Sequence, residues 1–171
     1  MARRFVTLDV FTRRPLAGNP LAVVLDAQGL DDGAMQAIAR EFNLSETVFV
    51  LPPDDPRQRA DIRIFTPARE LPFAGHPTVG TAVLLALLDQ EGQPGAAAFG
   101  LKEKVGIVPC AVEIESKTEG RARFKLPRLP FAWGDGKETS DCAWALGLDP
   151  TEIGFERHVP SRHSAGVAYD L

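Results

Sequence analysis

The stretch TVGTAVLLALLDQEG, residues 78–92, decides the fold. From Val79 to Leu88 almost every position is apolar or small, and the first charged side chain is Asp89. A helix lying on a sheet keeps a polar stripe, whereas one that is hydrophobic all round is buried on every side. The stretch therefore predicts an enclosed helix, most simply one inside a sheet that curls around it. Gly92 is its stop signal.

The flanking segments supply such a sheet. RFVTLDVF, residues 4–11, sets Phe5, Thr7 and Asp9 on one side and Val6, Leu8 and Val10 on the other, a two-residue period. TRRPLAGNP, 12–20, breaks that period with two prolines and a glycine and reads as a loop. LAVVLDA, 21–27, is apolar and β-branched and pairs with the first strand as a hairpin. In LDDGAMQAIAREFN, 30–43, Met35, Ile38, Ala39 and Phe42 recur at helical spacing, with Asp31 as N-cap. SETVFVLPP, 45–53, returns to strand and stops at its double proline, and DDPRQRA, 54–60, is a polar loop. DIRIFTPA, 61–68, alternates again, with Ile62 and Ile64 on one face.

Beyond Gly92, residues 96–131 fall into strand-sized pieces separated by glycines and a KTEG turn. Val112 and Ile114 alternate with Glu113 and Glu115, and Phe124 and Leu126 with Lys125. These are hairpin-like strands suited to wrapping the buried helix. LPRLPFAWGDGKET, 126–139, is rich in proline and glycine and marks a boundary near Leu129 to Gly136. SDCAWALGLDPTEIG, 140–154, reads as a short helix with Ser140 or Asp141 as cap and Gly147 as stop. The last residues show a strand-like alternation reaching Leu171.

Composition narrows the function. The 171 residues are 44% hydrophobic and 25% charged, a globular balance. Nineteen basic against 23 acidic residues leave a net charge of −4, which gives no footing for nucleic acid. No run approaches the roughly 18 apolar residues needed to cross a membrane. The first residues lack the apolar core of a signal peptide, so the expected address is the cytoplasm. Cys110 and Cys142 form no CxxC pair and have no histidine pair nearby, so neither a disulfide framework nor a metal site is expected.

The chemistry is expected where the helix begins, in PFAGHPTVGTA, residues 72–82. The first amides of a helix have no intrahelical acceptor, and the helix dipole adds to their pull on an anion. Pro77 suits the first turn, where its missing N–H costs nothing. Gly75 allows close approach of a ligand or of another backbone segment, and His76 supplies a hydrogen bond or a proton. A small carboxylated substrate suits such a site. The plainer reading is a Gly-x-Pro helix entry with a structural histidine, because Gly-His-Pro is not a specific motif. In NLSETVFV, residues 43–50, Glu46 stands at an apolar junction where desolvation would raise its pKa and make it a proton shuttle. The alternative is a solvated glutamate at a strand start. Asn19, in LAGNP, is read first as turn chemistry.

Together, DVFTRRPLAGNPLAVVLDA, FNLSETVFV and ELPFAGHPTVGTA resemble the phenazine-biosynthesis PhzF-like family closely, and in the same order. The resemblance covers most of residues 5–130. It implies an α+β, diaminopimelate epimerase-like fold: two lobes, each a curved, mostly antiparallel sheet around a central helix, with facing helix N-termini between them. It implies a cofactor-independent isomerisation of a dihydro-hydroxyanthranilate, in which a glutamate matching Glu46 carries the proton. Gly75 and His76 match the family's glycine–histidine pair at the helix entry, and Asn19 matches its loop asparagine. The helix entry has no cysteine, which argues against a two-thiol racemase. Family members continue into a second lobe with a glycine-rich block carrying an aspartate and a serine, and this chain has no such block. Residues 1–128 are thus expected to form the first lobe, and 129–171 a linker and the start of the second. The open apolar face of such a half predicts dimerisation, expected as a homodimer, or poor solubility. The alternative is a catalytically silent, truncated lobe that self-associates or binds a partner.

Overall fold

A computed structural model describes residues 2–165 and 167–170. The chain divides into two compact units, one ending at Pro127 and the other beginning at Arg128. In the first unit the strands are β1 (Phe5–Val10), β2 (Asn19–Val24), β3 (Glu46–Leu51), β4 (Ala60–Phe65), β5 (Glu70–Leu71), β6 (Gly95–Glu103), β7 (Gly106–Ile114) and β8 (Gly120–Phe124). Its helices are α1 (Asp32–Phe42) and α2 (Gly75–Asp89). The strands form one sheet in the order β1-β2-β3-β4-β6-β7-β8, with β5 paired to β4. Pairing is antiparallel except for β2 with β3 and β4 with β6. Each parallel pair is joined by a crossover that contains a helix, since parallel neighbours cannot be linked by a tight turn.

Helix α2 packs against β1, β2 and β3 from one end of the sheet and β6, β7 and β8 from the other. Strands so far apart in the sheet reach one helix only because the sheet curls around it. The enclosed helix expected from its all-apolar sequence is what the fold contains, and the architecture is α+β. Gly80 shows how close the packing is: a Cβ there would come within 2.8 Å of both Leu21 Cδ2 and Val10 Cγ2. The helix ends as Gly92, at φ +72°, donates its N–H to the Leu87 carbonyl. It begins at Gly75, earlier than the apolar run alone suggests, because Pro77 is tolerated in a first turn.

Alternation decides which side chains face α2. The register Leu21↔Glu46 and Val23↔Val48 places Glu46 on the same face as Leu21, Val23 and Val48. The other face of β3 belongs to α1, whose buried Met35 and Ala39 pack with Val24, Ala27, Phe49 and Phe65. Asp31 caps α1 as expected, accepting from the Ala34 N–H at 2.8 Å. Asn43, in left-handed conformation, ends it, so the chain turns directly into β3 at Glu46. Strand β8 stops at Phe124, and Leu126 lies beyond it, 40% exposed, rather than continuing the alternation.

The second unit has β9 (Phe131–Ala132), α3 (Thr139–Leu146), β10 (Arg162–Ser164) and β11 (Ala168–Asp170). The strands form an antiparallel sheet in the order β11-β10-β9. Gly147 ends α3 in left-handed conformation, as its sequence suggests. The expected caps are displaced: Glu138 is the N-cap, without a side-chain cap bond, and the helix already starts at Thr139. Ser140 and Asp141 therefore lie inside the first turn, where Asp141 still favours the helix dipole. Leu171, the end of the expected alternation, lies outside the described residues. No helix among the described residues is long and apolar enough to cross a membrane.

Candidate active site

Four candidates were expected, and the fold brings Glu46 and His76 together. Glu46 opens β3 and His76 is the second residue of α2. Glu46 Oε2 lies 3.4 Å from His76 Nδ1, and both side chains are largely buried. Burial pushes the Glu46 carboxyl above its ordinary range, because a desolvated carboxylate is costly. Burial lowers His76 for the same reason, and the Pro20 carbonyl, which favours the protonated ring, opposes it. Burial thus favours the neutral imidazole, and with it a neutral contact with Glu46 over an ion pair. Glu46 Oε2 and His76 Nε2 are both buried without a hydrogen-bond partner among the described residues. Thr47 Oγ1, Asp61 Oδ1, Thr81 Oγ1 and Glu103 Oε2 are buried without a partner as well, but Glu46 and His76 are the two such residues whose side chains approach each other at the start of α2.

The helix end adds donors. Ala74 is the N-cap and makes no side-chain cap bond, and the first turn of α2 contains no acidic residue. Thr78 is the first residue whose N–H reaches an intrahelical carbonyl, that of Ala74 at 3.3 Å. The Gly75 and His76 amides precede it, and Pro77 has none, so two donors and the positive end of the dipole meet at this point. A Cβ on Gly75 would meet only Phe124 Cζ, at 3.8 Å. Gly75 is thus not forced by protein packing, and the space beside it is open to a ligand.

Asn19 is the first residue of β2 rather than part of the preceding loop. It pairs with Val10 and shares the α2 face with Leu21. It stands next to Pro20, whose carbonyl bears on His76. Its side chain makes no hydrogen bond to Glu46 or His76 among the described residues.

Two residues not singled out from sequence belong here. Phe11 has φ +67°, unusual for a bulky residue, and its ring, 73% exposed, lies 6.4 Å from the His76 ring. Glu103, at the end of β6, is only 5% exposed. Its Oε1 lies 2.7 Å from Thr78 Oγ1, and burial pushes its carboxyl up to about 7 against that hydrogen bond. Its signal in the sequence is the alternation of Leu101 and Glu103 with Lys102 and Lys104, which puts Glu103 on the apolar face.

Other places offer less. Among the described residues no group of three or more His, Cys, Asp or Glu side chains could hold a metal. The second unit has a cavity of about 460 Å³ lined in part by Lys137, Ser161, Arg162 and His163. Its Arg162 is already held by Asp170 through two hydrogen bonds. None of the buried, unpaired polar atoms at the start of α2 has a counterpart there among the described residues.

A curled, mostly antiparallel sheet around a buried helix, with that helix opening beside a buried carboxyl, defines a lobe of the diaminopimelate epimerase-like fold. A family model for phenazine biosynthesis-like proteins matches residues 8–166, and the chain belongs to that family. An uncharacterized isomerase of Mesorhizobium japonicum is 56% identical over 98% of this chain and 54% of its own length. Trans-2,3-dihydro-3-hydroxyanthranilate isomerase of Pseudomonas aeruginosa is 45% identical over 90% of this chain and 52% of its own. Among solved structures, a predicted epimerase from Pseudomonas aeruginosa superposes with a TM-score of 0.81 at 36% identity, covering 99% of this chain and 58% of that one. A hydroxyproline epimerase from Agrobacterium vitis, 13% identical with a TM-score of 0.67, shares the fold. The chain spans about half the length of the curated relatives it matches.

Proposed function

We propose that this chain is the first lobe of a cofactor-independent isomerase that moves a proton on a small, carboxylated cyclic substrate. The observation that carries the reading is the buried, unpaired Glu46 Oε2, 3.4 Å from His76 Nδ1 at the open end of α2. In this reading the substrate carboxylate is held by the Gly75 and His76 amides. Glu46, its pKa raised by burial, takes a proton from one ring carbon and returns it to another as the double bond moves. One C–H bond breaks, one forms, and Glu46 ends in its starting state, so no cofactor enters. His76, neutral, orients the substrate by hydrogen bonding, and Asn19 lines the same end of the sheet. The activity of the Pseudomonas aeruginosa relative supports trans-2,3-dihydro-3-hydroxyanthranilate as the first substrate to try. We place residues from Arg128 onward at the start of a second lobe, and the protein in the cytoplasm as a homodimer. The two free cysteines accord with a reducing compartment.

A second reading, a catalytically silent lobe that associates with itself or a partner, is favoured by the second unit. It leaves Trp144, Leu146, Phe155 and Val159 each more than half exposed. The test is solvent deuterium incorporation into trans-2,3-dihydro-3-hydroxyanthranilate, followed by NMR. The isomerase reading expects incorporation with the native chain. It also expects none with Glu46→Gln, which still binds 3-hydroxyanthranilate, the aromatic analogue of that substrate. Normal turnover by Glu46→Gln would remove Glu46 from its role. Binding of the analogue without any incorporation by the native chain would favour the silent lobe.

A further inference from the structure

Thr78 Oγ1 lies 2.7 Å from Glu103 Oε1 and 2.7 Å from the Ala74 carbonyl oxygen. A hydroxyl has one hydrogen to give, and a carbonyl oxygen can only accept. With Glu103 ionised, the Thr78 hydrogen is divided between two acceptors, whereas both contacts are full hydrogen bonds when Glu103 is protonated and donates to Thr78, which in turn donates to Ala74. The backbone bond to the same carbonyl, from the Thr78 N–H, is longer at 3.3 Å, so the hydroxyl is its closer partner. Ala74 is joined to Gly75 by a planar trans peptide, in which C=O and N–H point in opposite directions. Whatever fixes the Ala74 carbonyl fixes the direction of the Gly75 N–H. The β6–β7 hairpin holds this segment at a second point, through the Val105 N–H bonded to the Pro72 carbonyl at 3.0 Å.

We infer that Glu103 is a positioning residue of the anion site at the start of α2: as a neutral acid it clamps the Ala74 carbonyl through Thr78 and so aims the Gly75 N–H at a bound carboxylate. The inference rests on the reading of that helix end as a carboxylate site. Ionised Glu103 competes for the Thr78 hydrogen, which loosens the hold on the Ala74 carbonyl. It also places a negative charge close to where the substrate's own charge binds. Both effects weaken the site, so carboxylate binding falls as Glu103 ionises.

Among the described residues, the groups around Glu103 include no compensating cation. From β7 it is approached by the Cys110 thiol, pushed up to about 12 by burial and by Glu103 itself. From α2 it is met by Thr78, and the first turn of that helix contains no acidic side chain. On β6, Lys102 alternates away from Glu103 and is bonded to Asp54 and Asp61, and Lys104, in the turn beyond, is bonded to Glu70. Burial sets its titration, up to about 7, with only the Thr78 hydrogen bond opposing.

The experiment follows the Gly75 amide by ¹⁵N–¹H NMR, and 3-hydroxyanthranilate binding by calorimetry, from about pH 5.5 to about pH 8.5, a span chosen to bracket a carboxyl raised to near neutrality. In the native chain the Gly75 shift titrates with Glu103, and affinity falls about tenfold across the transition, the worth of one charge-assisted hydrogen bond. Glu103→Gln, whose amide donates to Thr78 at every pH, loses the Gly75 transition near 7 and keeps the affinity of the acid side. Thr78→Val leaves Glu103 titrating but cuts the relay, so that transition is lost there too. A native Gly75 shift without a transition near 7, or one that keeps it in Glu103→Gln, overturns the clamp. Failure of 3-hydroxyanthranilate to bind any form overturns the carboxylate-site reading instead, while the amide titration still decides the clamp.

Discussion

Glu103 also makes the stability of the fold depend on pH, in a direction opposite to that of most carboxylates. Its carboxyl is raised from an ordinary 4.5 to about 7 by burial. In the unfolded chain it regains the ordinary value, so between about 4.5 and about 7 the folded state holds a proton that the unfolded state has lost. Stability contributed by this group is therefore fully present below about 4.5, declines as pH rises, and is gone above about 7. The gap between 4.5 and about 7, at about 1.4 kcal/mol per pH unit, amounts to about 3 kcal/mol. Glu103→Gln removes the titration and keeps a donor for Thr78. The assay is urea unfolding of both forms at about pH 4.5 and about pH 8.5, read by far-UV circular dichroism. Fluorescence is the wrong probe, because both tryptophans, Trp133 and Trp144, lie in the second unit. Other titrating groups are common to both forms and cancel in the difference. Glu103→Gln is expected to gain about 3 kcal/mol on the native chain between the two pH values, a relative midpoint shift on the order of 1–2 M urea. A difference that stays constant with pH would refute the reasoning, since Glu103 would then be ionised in the fold at little cost.

Three further outcomes test the scaffold and the site. Asp31→Ala removes the cap on the Ala34 N–H and should lower stability by about 1 kcal/mol, seen as a lower urea midpoint with an unchanged slope. Gly80→Val drives a side chain into Leu21 and Val10, and should cost about 1–3 kcal/mol in thermal unfolding. The His76 ring should titrate below 6.5 by NMR, and should stay depressed in Glu46→Gln, because burial rather than Glu46 sets its pKa. A His76 value raised above 6.5 in the native chain would show an ion pair with Glu46 instead.

Much of this was legible in the sequence, and the parts that were not have physical reasons. The all-apolar run from Val79 to Leu88 required enclosure, and the curled sheet supplies it. Glu46 and His76 were each readable as an apolar junction and a helix entry, but their 3.4 Å approach depends on the pairing of β2 with β3 and on where α2 crosses the sheet. Such long-range register is not written in any local window. Phe11 could not be found by pattern, because a positive φ in a loop is imposed by its surroundings. Glu103 hid in LKEK, residues 101–104, which looks like a solvated turn until the alternation is followed through Leu101.

The enclosure of α2 and the character of the site are one property. A helix buried to its first turn brings its positive end into a low-dielectric place, where it acts more strongly than it would in water. The same burial acts on every titratable group nearby. Glu46 and Glu103 are pushed up, toward their neutral acids, and His76 is pushed down, toward its neutral ring. Each shift weakens a charge of its own sign, while the partial positive charge of the Gly75 and His76 amides does not titrate. In the proposed function this is the end of α2 that receives the substrate carboxylate. The apolar run that closes the sheet around α2 thus also shifts the protonation of the groups at its start.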